Sequence, residues 1–360
     1  MTDAITVRGP VDVAELGVTL LHEHLFVDAS TYVQPGAEPY RRDLLEQPVD
    51  AGNAWLLRDD PFCCVDNTVL DDVDVTVEEL GPFLAEGGGT VVDVSCTGMG
   101  RRVDDLVTTA QRTGLHILAG AGWYLEQAHP AELVDADADE LTERLLRDIT
   151  DGLDGTAVRP GIIGEIGVSP RFTPAEERCL IAAARAQASS GLPLMVHTPG
   201  WQRYGHRILD LVEAQGVDPR AVVLAHMNPS GSDPSYQRSL AARGAWLEFD
   251  MIGMGFFYAD QQAQSPSADD DARAVAGLID EGYLDHLILS HDVFLKIMWT
   301  RHGGNGYGFV QRGFLPRLHR LGVPPALDRH LLVANPRAVF ELAAGGQDHR
   351  RLPTTDKEQP

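Results

Sequence analysis

Lysine is almost absent from this chain of 360 residues, which has only Lys296 and Lys357. Acidic residues outnumber Lys and Arg by 53 to 29, for a formal net charge of −24. A surface of that sign repels phosphate backbones and anionic lipid, so neither nucleic acid nor a membrane is an expected partner. The acids are spread along the chain rather than clustered, and solubility accounts for them. Long apolar runs are missing too: nowhere do about 18 uncharged apolar residues follow one another. The opening "MTDAITVRGPVDVAELG" has no basic segment leading into an apolar stretch, so the expected location is the cytoplasm. Four cysteines, Cys63, Cys64, Cys96 and Cys179, show no CxxC spacing, and an adjacent pair is poor disulfide material. They read as small packed thiols in a reducing compartment.

What is present is a repeat of short apolar runs. They are "VTLLHEHLFV" (18–27), "GTVVDVSC" (89–96), "LHILAGAGWY" (115–124), "GIIGEIGVS" (161–169), "LPLMVHT" (192–198), "AVVLAHM" (221–227), "AWLEFDMIG" (245–253) and "HLILSHDV" (286–293). Most are continuously apolar, the pattern of parallel strands covered on both faces. Helical spacing separates them, as in "EERCLIAAARAQAS" (176–189). Eight alternating units predict an α/β fold, a closed (β/α)8 TIM barrel with a long insertion after the first strand. No GxGxxG follows a strand to favour a nucleotide-binding open sheet. Residues 1–344 form one expected domain. The polar segment 345–360 is an expected disordered tail. The connection 29–77, rich in Pro, Asp and Arg, is expected to form a structured rim beside the active face, with a short helix at "YRRDLLEQ".

In barrels of this kind chemistry gathers at the C-terminal strand ends. There the first run offers His22 and His24, the fourth Glu165, the fifth His197, the sixth His226 and the eighth Asp292. In an extended strand His22 and His24 share a face, ~7 Å apart at a rise of ~3.3 Å per residue, and can converge on one ion. Four imidazoles and two carboxylates exceed one tetrahedral zinc but suit two divalent ions ~3.5–4 Å apart with a shared carboxylate. Such a pair supplies hydroxide near neutral pH and polarises an acyl or phosphoryl oxygen, so the expected chemistry is hydrolysis.

The segments "GVTLLHEH", "IIGEIG", "VHT", "LAHMN" and "LSHD" resemble the phosphotriesterase-like branch of the amidohydrolase superfamily over roughly residues 5–340. The resemblance implies a two-metal centre, usually zinc. His22, His24 and Asp292 would sit on the more buried ion and His197 and His226 on the other. It also implies that Asp292 takes the proton during attack, a role natural for a carboxylate beside the nucleophile. One well-known form of the family bridges its ions with a carbamylated lysine. Neither lysine of this chain lies in the fourth run, and Glu165 occupies the position, as in the family's glutamate-bridged branch. Borrowing an organophosphate substrate from the lysine-bridged enzymes is therefore unsafe.

After the eighth run, "HDVFLKIMWTRHGGNGYGF" puts Lys296 and Arg301 before a Gly-rich loop expected to act as a flexible lid. This pattern resembles phosphotriesterase-related proteins, where hydrolysis of N-acyl amino-sulfonate amides is known. Lys296, Arg301 and Arg203 are candidate anchors for an anionic small-molecule substrate, and Tyr124 a candidate hydrogen-bond donor to it. Met254, Phe256 and Phe257 are candidate pocket walls. The leading expectation is hydrolysis of a carboxylic ester or lactone. Amide cleavage stands close behind, with a phosphotriester as a side activity. Outside this class stand a barrel that keeps metal only for stability or binding, and a one-metal deaminase relative. Relatives also suggest a homodimer.

Overall fold

Each of the eight apolar runs forms a strand in the computed structural model, which describes residues 2–259 and 261–345. The barrel strands are β1 (Val18–Glu23), β2 (Gly88–Asp93), β3 (His116–Ala121), β4 (Ile162–Gly167), β5 (Leu194–His197), β6 (Val222–Leu224), β7 (Trp246–Phe249) and β8 (Leu287–Leu289). They pair in chain order, every neighbouring pair parallel. Hydrogen bonds close the ring between β8 and β1. The His22 N–H donates to Ser290 Oγ at 3.2 Å, and the Asp292 N–H donates to the His22 carbonyl at 3.2 Å. The expected TIM barrel is what the chain forms.

Alternation along the strands decides what fills it. One residue from each strand, among them Leu21, Leu118, Met195, Trp246 and Ile288, joins a buried interior cluster. Their neighbours in sequence, such as Leu20, Ile117 and Leu287, pack in a separate cluster with helix residues. Ala4 of the N-terminal hairpin (Asp3–Thr6 with Gly9–Asp12) and Phe340 of the last helix (Asn335–Gly345) belong to the interior cluster. They seal one end of the barrel and leave the other for a site.

The strands stop earlier than the apolar runs suggest. His24, His226 and Asp292 lie just past the ends of β1, β6 and β8. The backbone explains it for two of them: His226 and Asp292 have φ of 58° and 52°, left-handed conformations that no strand accommodates. Non-glycine residues held there mark places where surrounding structure enforces strain.

The connection after β1 is structured. Val27–Asp28 pairs antiparallel with Val69–Leu70, and short helices form at Pro39–Arg42 and Ala54–Leu57. Asp66 and Asn67 tie this segment to the loop after β8, through an ion pair with Lys296 and a 3.0 Å bond from the Ile297 N–H. Gly345 ends the last helix, and the rest of the expected tail lies outside the described residues. Among the described residues no helix is long and apolar enough to cross a membrane.

Candidate active site

Glu165, at the end of β4, organises the open end of the barrel. Its Oε1 faces the Nε2 atoms of His22 (3.6 Å) and His24 (3.4 Å), while its Oε2 faces His197 Nδ1 (3.1 Å) and His226 Nε2 (3.3 Å). Across from it, Asp292 Oδ1 lies 3.2 Å from His24 Nε2 and 3.7 Å from His22 Nε2. All six side chains singled out in the sequence thus converge, although they come from five strands.

A second layer aims the imidazoles. His22 Nδ1 lies 3.2 Å from Glu248 Oε2 and 3.2 Å from Asp250 Oδ2, and His226 Nδ1 lies 3.0 Å from Asp250 Oδ1. Ser95 Oγ meets His24 Nδ1 at 2.9 Å. With Nδ1 engaged, Nε2 of each ring is left to point at the centre. Glu248 and Asp250 escaped the sequence reading. Their signal was visible: "WLEFD" places two acids on one face of an otherwise apolar strand. Glu23, the acid between the two histidines, faces away from the centre and holds the seam. Its Oε1 accepts from the Ser290 hydroxyl (2.9 Å), the His291 N–H (2.9 Å) and His291 Nδ1 (2.7 Å), and its Oε2 from the Val293 N–H (3.0 Å).

The donor set fits metal. His22 Nε2 is buried with no hydrogen-bond partner among the described residues. His197 Nδ1 and His226 Nε2 lie 2.8 Å apart and both face Glu165 Oε2, so two imidazole nitrogens and a carboxylate oxygen crowd one spot, as ligands of one ion do. The buried carboxylates of Glu165, Glu248, Asp250 and Asp292 face imidazoles, with no Lys or Arg in ion-pair distance among the described residues. Buried charge of one sign costs several kcal/mol per ion unless compensated. Groups able to hold a metal include His22, His24 and Asp292, and also His22, Glu165 and His226.

Electrostatics lead to the same place. Burial disfavours the charged imidazoles, but Asp292 and Glu165 outweigh it and raise His24 to about 9. Asp250 and Glu165 likewise outweigh burial and raise His226 to about 10. For His197, burial and the neighbouring His226 lower it instead. A proton on a raised imidazole stabilises the metal-free fold fully below the ordinary value of 6.5, and that contribution is lost as pH rises through 9 to 10. An ion entering near neutral pH must therefore displace protons. Adding Zn2+ to metal-free protein at pH 7.5, in weak buffer with an indicator dye, is expected to release on the order of one to two protons per chain. No release would remove the imidazoles from the ligand set.

Above the cluster opens a cavity of about 350 Å3. His24, Glu165, His197, His226 and Asp292 form its floor, and the segment after β1 supplies Tyr32 and Phe62 to its wall. Tyr124 also lines it, with its hydroxyl 3.2 Å from His197 Nδ1.

The sequence pattern of the phosphotriesterase family matches residues 2–340. The chain belongs to the phosphotriesterase family. Among its relatives in that family, an N-acetyltaurine hydrolase of Bos taurus is 33% identical over 338 residues, which are 92% of this chain and 96% of the relative. A solved resiniferatoxin-binding protein from Rhodobacter sphaeroides is 51% identical with a TM-score of 0.92, covering 94% of each chain. A phosphotriesterase homology protein from Escherichia coli, solved with phosphate in its active site, is 26% identical with a TM-score of 0.74, over 91% of this chain and 99% of that one.

Other expected contacts fall elsewhere, because each long side chain finds a partner nearer than the cavity. Lys296 pairs with Asp66. Arg301 is exposed, 4.0 Å from Glu78, and its N–H donates to Glu79. Arg203 stacks on the Tyr236 ring at 5.3 Å and approaches Asp233 at 3.8 Å. None of the three lines the cavity. The cation that does is Arg171, in the loop after β4. Met254 is fully buried, and Phe256 borders a separate small cavity beside Arg58. The Gly-rich segment, expected as a lid, does not line the cavity, and it is anchored at Tyr307, which is fully buried with its hydroxyl donating to the His24 carbonyl at 3.0 Å.

Proposed function

We propose that this protein is a two-metal hydrolase that attacks a carbonyl carbon, cleaving a carboxylic ester or lactone. One observation carries the reading: the two oxygens of Glu165 are divided between two pairs of imidazoles, the arrangement of a carboxylate that bridges two ions. His22, His24 and Asp292 would hold one ion and His197 and His226 the other. Bound there, divalent ions, zinc first among them, would supply Lewis-acid polarisation and a water acidic enough to deprotonate near neutral pH.

The chain's own groups do the rest. Asp292, at the cavity floor, is placed to accept the proton of the attacking water and pass it to the leaving group. Tyr124 stays neutral, since burial and then the Glu165 charge hold its hydroxyl well above its ordinary range. It can donate a hydrogen bond to the carbonyl oxygen as negative charge grows there. Tyr124→Phe is expected to cost ~100-fold in kcat with KM and folding little changed. An unaltered kcat would leave that hydroxyl a packing role.

Amide cleavage is the second reading, favoured by the relatives named N-acetyltaurine hydrolase at similar length. Assay of metal-loaded protein against phenyl esters, a lactone series, N-acyl amino acids and a paraoxon-like triester separates the possibilities. Turnover of the triester above every acyl compound would overturn the proposal.

A further inference from the structure

Among the described residues, Arg171 is the only Arg or Lys lining the cavity. It is exposed, and among the described residues no carboxylate lies within ion-pair distance of it. The other candidate cations nearby, Arg203, Lys296 and Arg301, each have an acid beside them.

The loop that presents Arg171 is braced. Glu176, buried in the first turn of the helix Pro174–Ser190, accepts at Oε2 from the Ser169 N–H (3.1 Å), the Ser169 hydroxyl (2.9 Å) and the Thr173 N–H (3.0 Å). Phe172 is held at a φ of 42°, and the Arg207 guanidinium lies 4.0 Å over its ring. A strained residue and three bonds to one buried carboxylate fix the backbone on both sides of Arg171. With the backbone already set, only the side-chain rotamers of Arg171 remain to be ordered on binding.

Much of the remaining wall is aromatic. Tyr32, Phe62, Tyr258, Phe294 and Trp201 form a connected set of rings with centroids 5.6–6.4 Å apart. The Tyr32 hydroxyl is buried there with no hydrogen-bond partner among the described residues. Among the described residues, the only acids lining the cavity are Glu165 and Asp292 on its floor.

We infer that Arg171 selects substrates carrying a carboxylate or sulfonate remote from the scissile bond, and that the ring wall receives a bulky apolar acyl or aryl body. The substrate class is then an amphiphilic organic anion rather than a small neutral ester. For what is cleaved, this rests on the acyl-hydrolase reading above.

The test uses metal-loaded protein and matched acyl substrates that differ only in a terminal carboxylate or its neutral carboxamide. Wild type is expected to favour the anion by ~10-fold or more in kcat/KM. In Arg171→Ala that preference disappears through a raised KM for the anion, with kcat and the neutral substrate unchanged. Arg171→Lys restores part of it, because a point charge replaces a bidentate fork. A phenylacetyl substrate is expected to exceed its acetyl counterpart by ~10-fold. An equal loss on both matched substrates, or an unchanged ratio, would overturn the role of Arg171, and acetyl preferred over phenylacetyl would overturn that of the wall. If no acyl compound is cleaved, the hydrolase reading fails, but binding still decides this one. 3-Phenylpropanesulfonate should then bind wild type more tightly than its sulfonamide and lose that advantage in Arg171→Ala, and equal binding of the two by wild type would overturn it.

Discussion

Asp292→Asn is expected to lower kcat by ~10^3-fold while the barrel stays folded, because a positioned general base contributes ~10^2–10^4-fold and an amide cannot accept the proton. The carboxylate lies 3.2 Å from His24 Nε2 on the cavity floor. Its backbone is held at a φ of 52°, in a conformation that Asn tolerates as well as Asp. Burial raises the Asp292 carboxyl above its usual range, against the pull of His24, His22 and His226, so the neutral amide should not destabilise the fold. Metal analysis belongs beside the kinetics. An Asn variant that keeps its ions and its rate would show that the barrel binds metal without using Asp292 in catalysis.

Glu165→Gln is the second large effect. The amide keeps the volume and one acceptor oxygen but gives up the symmetric pair that faces His22 and His24 on one side and His197 and His226 on the other. Metal content measured by mass spectrometry should fall from two ions per chain toward one, and kcat/KM by more than the ~10–100-fold typical of residues behind the ligands. Glu248→Gln provides that comparison, since Glu248 touches only the far nitrogen of His22. Two ions retained in Glu165→Gln, with activity intact, would remove the bridge. A single ion in the native protein would point instead to one-metal chemistry.

The barrel and the six side chains that converge at its open end were legible because both rest on local rules. Strands covered on both faces must be apolar throughout, so His22, Glu165, His197, His226 and Asp292 stand out against runs that have no other reason to carry them. Glu248 and Asp250 obeyed the same rule and were overlooked. Backbone detail was less visible: the turn of His226 and Asp292 into left-handed conformations shortens β6 and β8, and neither residue type demands it.

By itself, the sequence determined an eight-stranded barrel, the side chains at its rim and the impossibility of a carbamylated lysine on β4, because alternation and composition act over a few neighbouring residues. Tertiary structure alone decided which cation faces the cavity. Lys296 is drawn to Asp66 across 230 positions of chain, while Arg171, braced by Glu176, has no acid within reach among the described residues. Whether a long charged side chain meets an opposite charge depends on distances in space, and those exist only once the chain has folded.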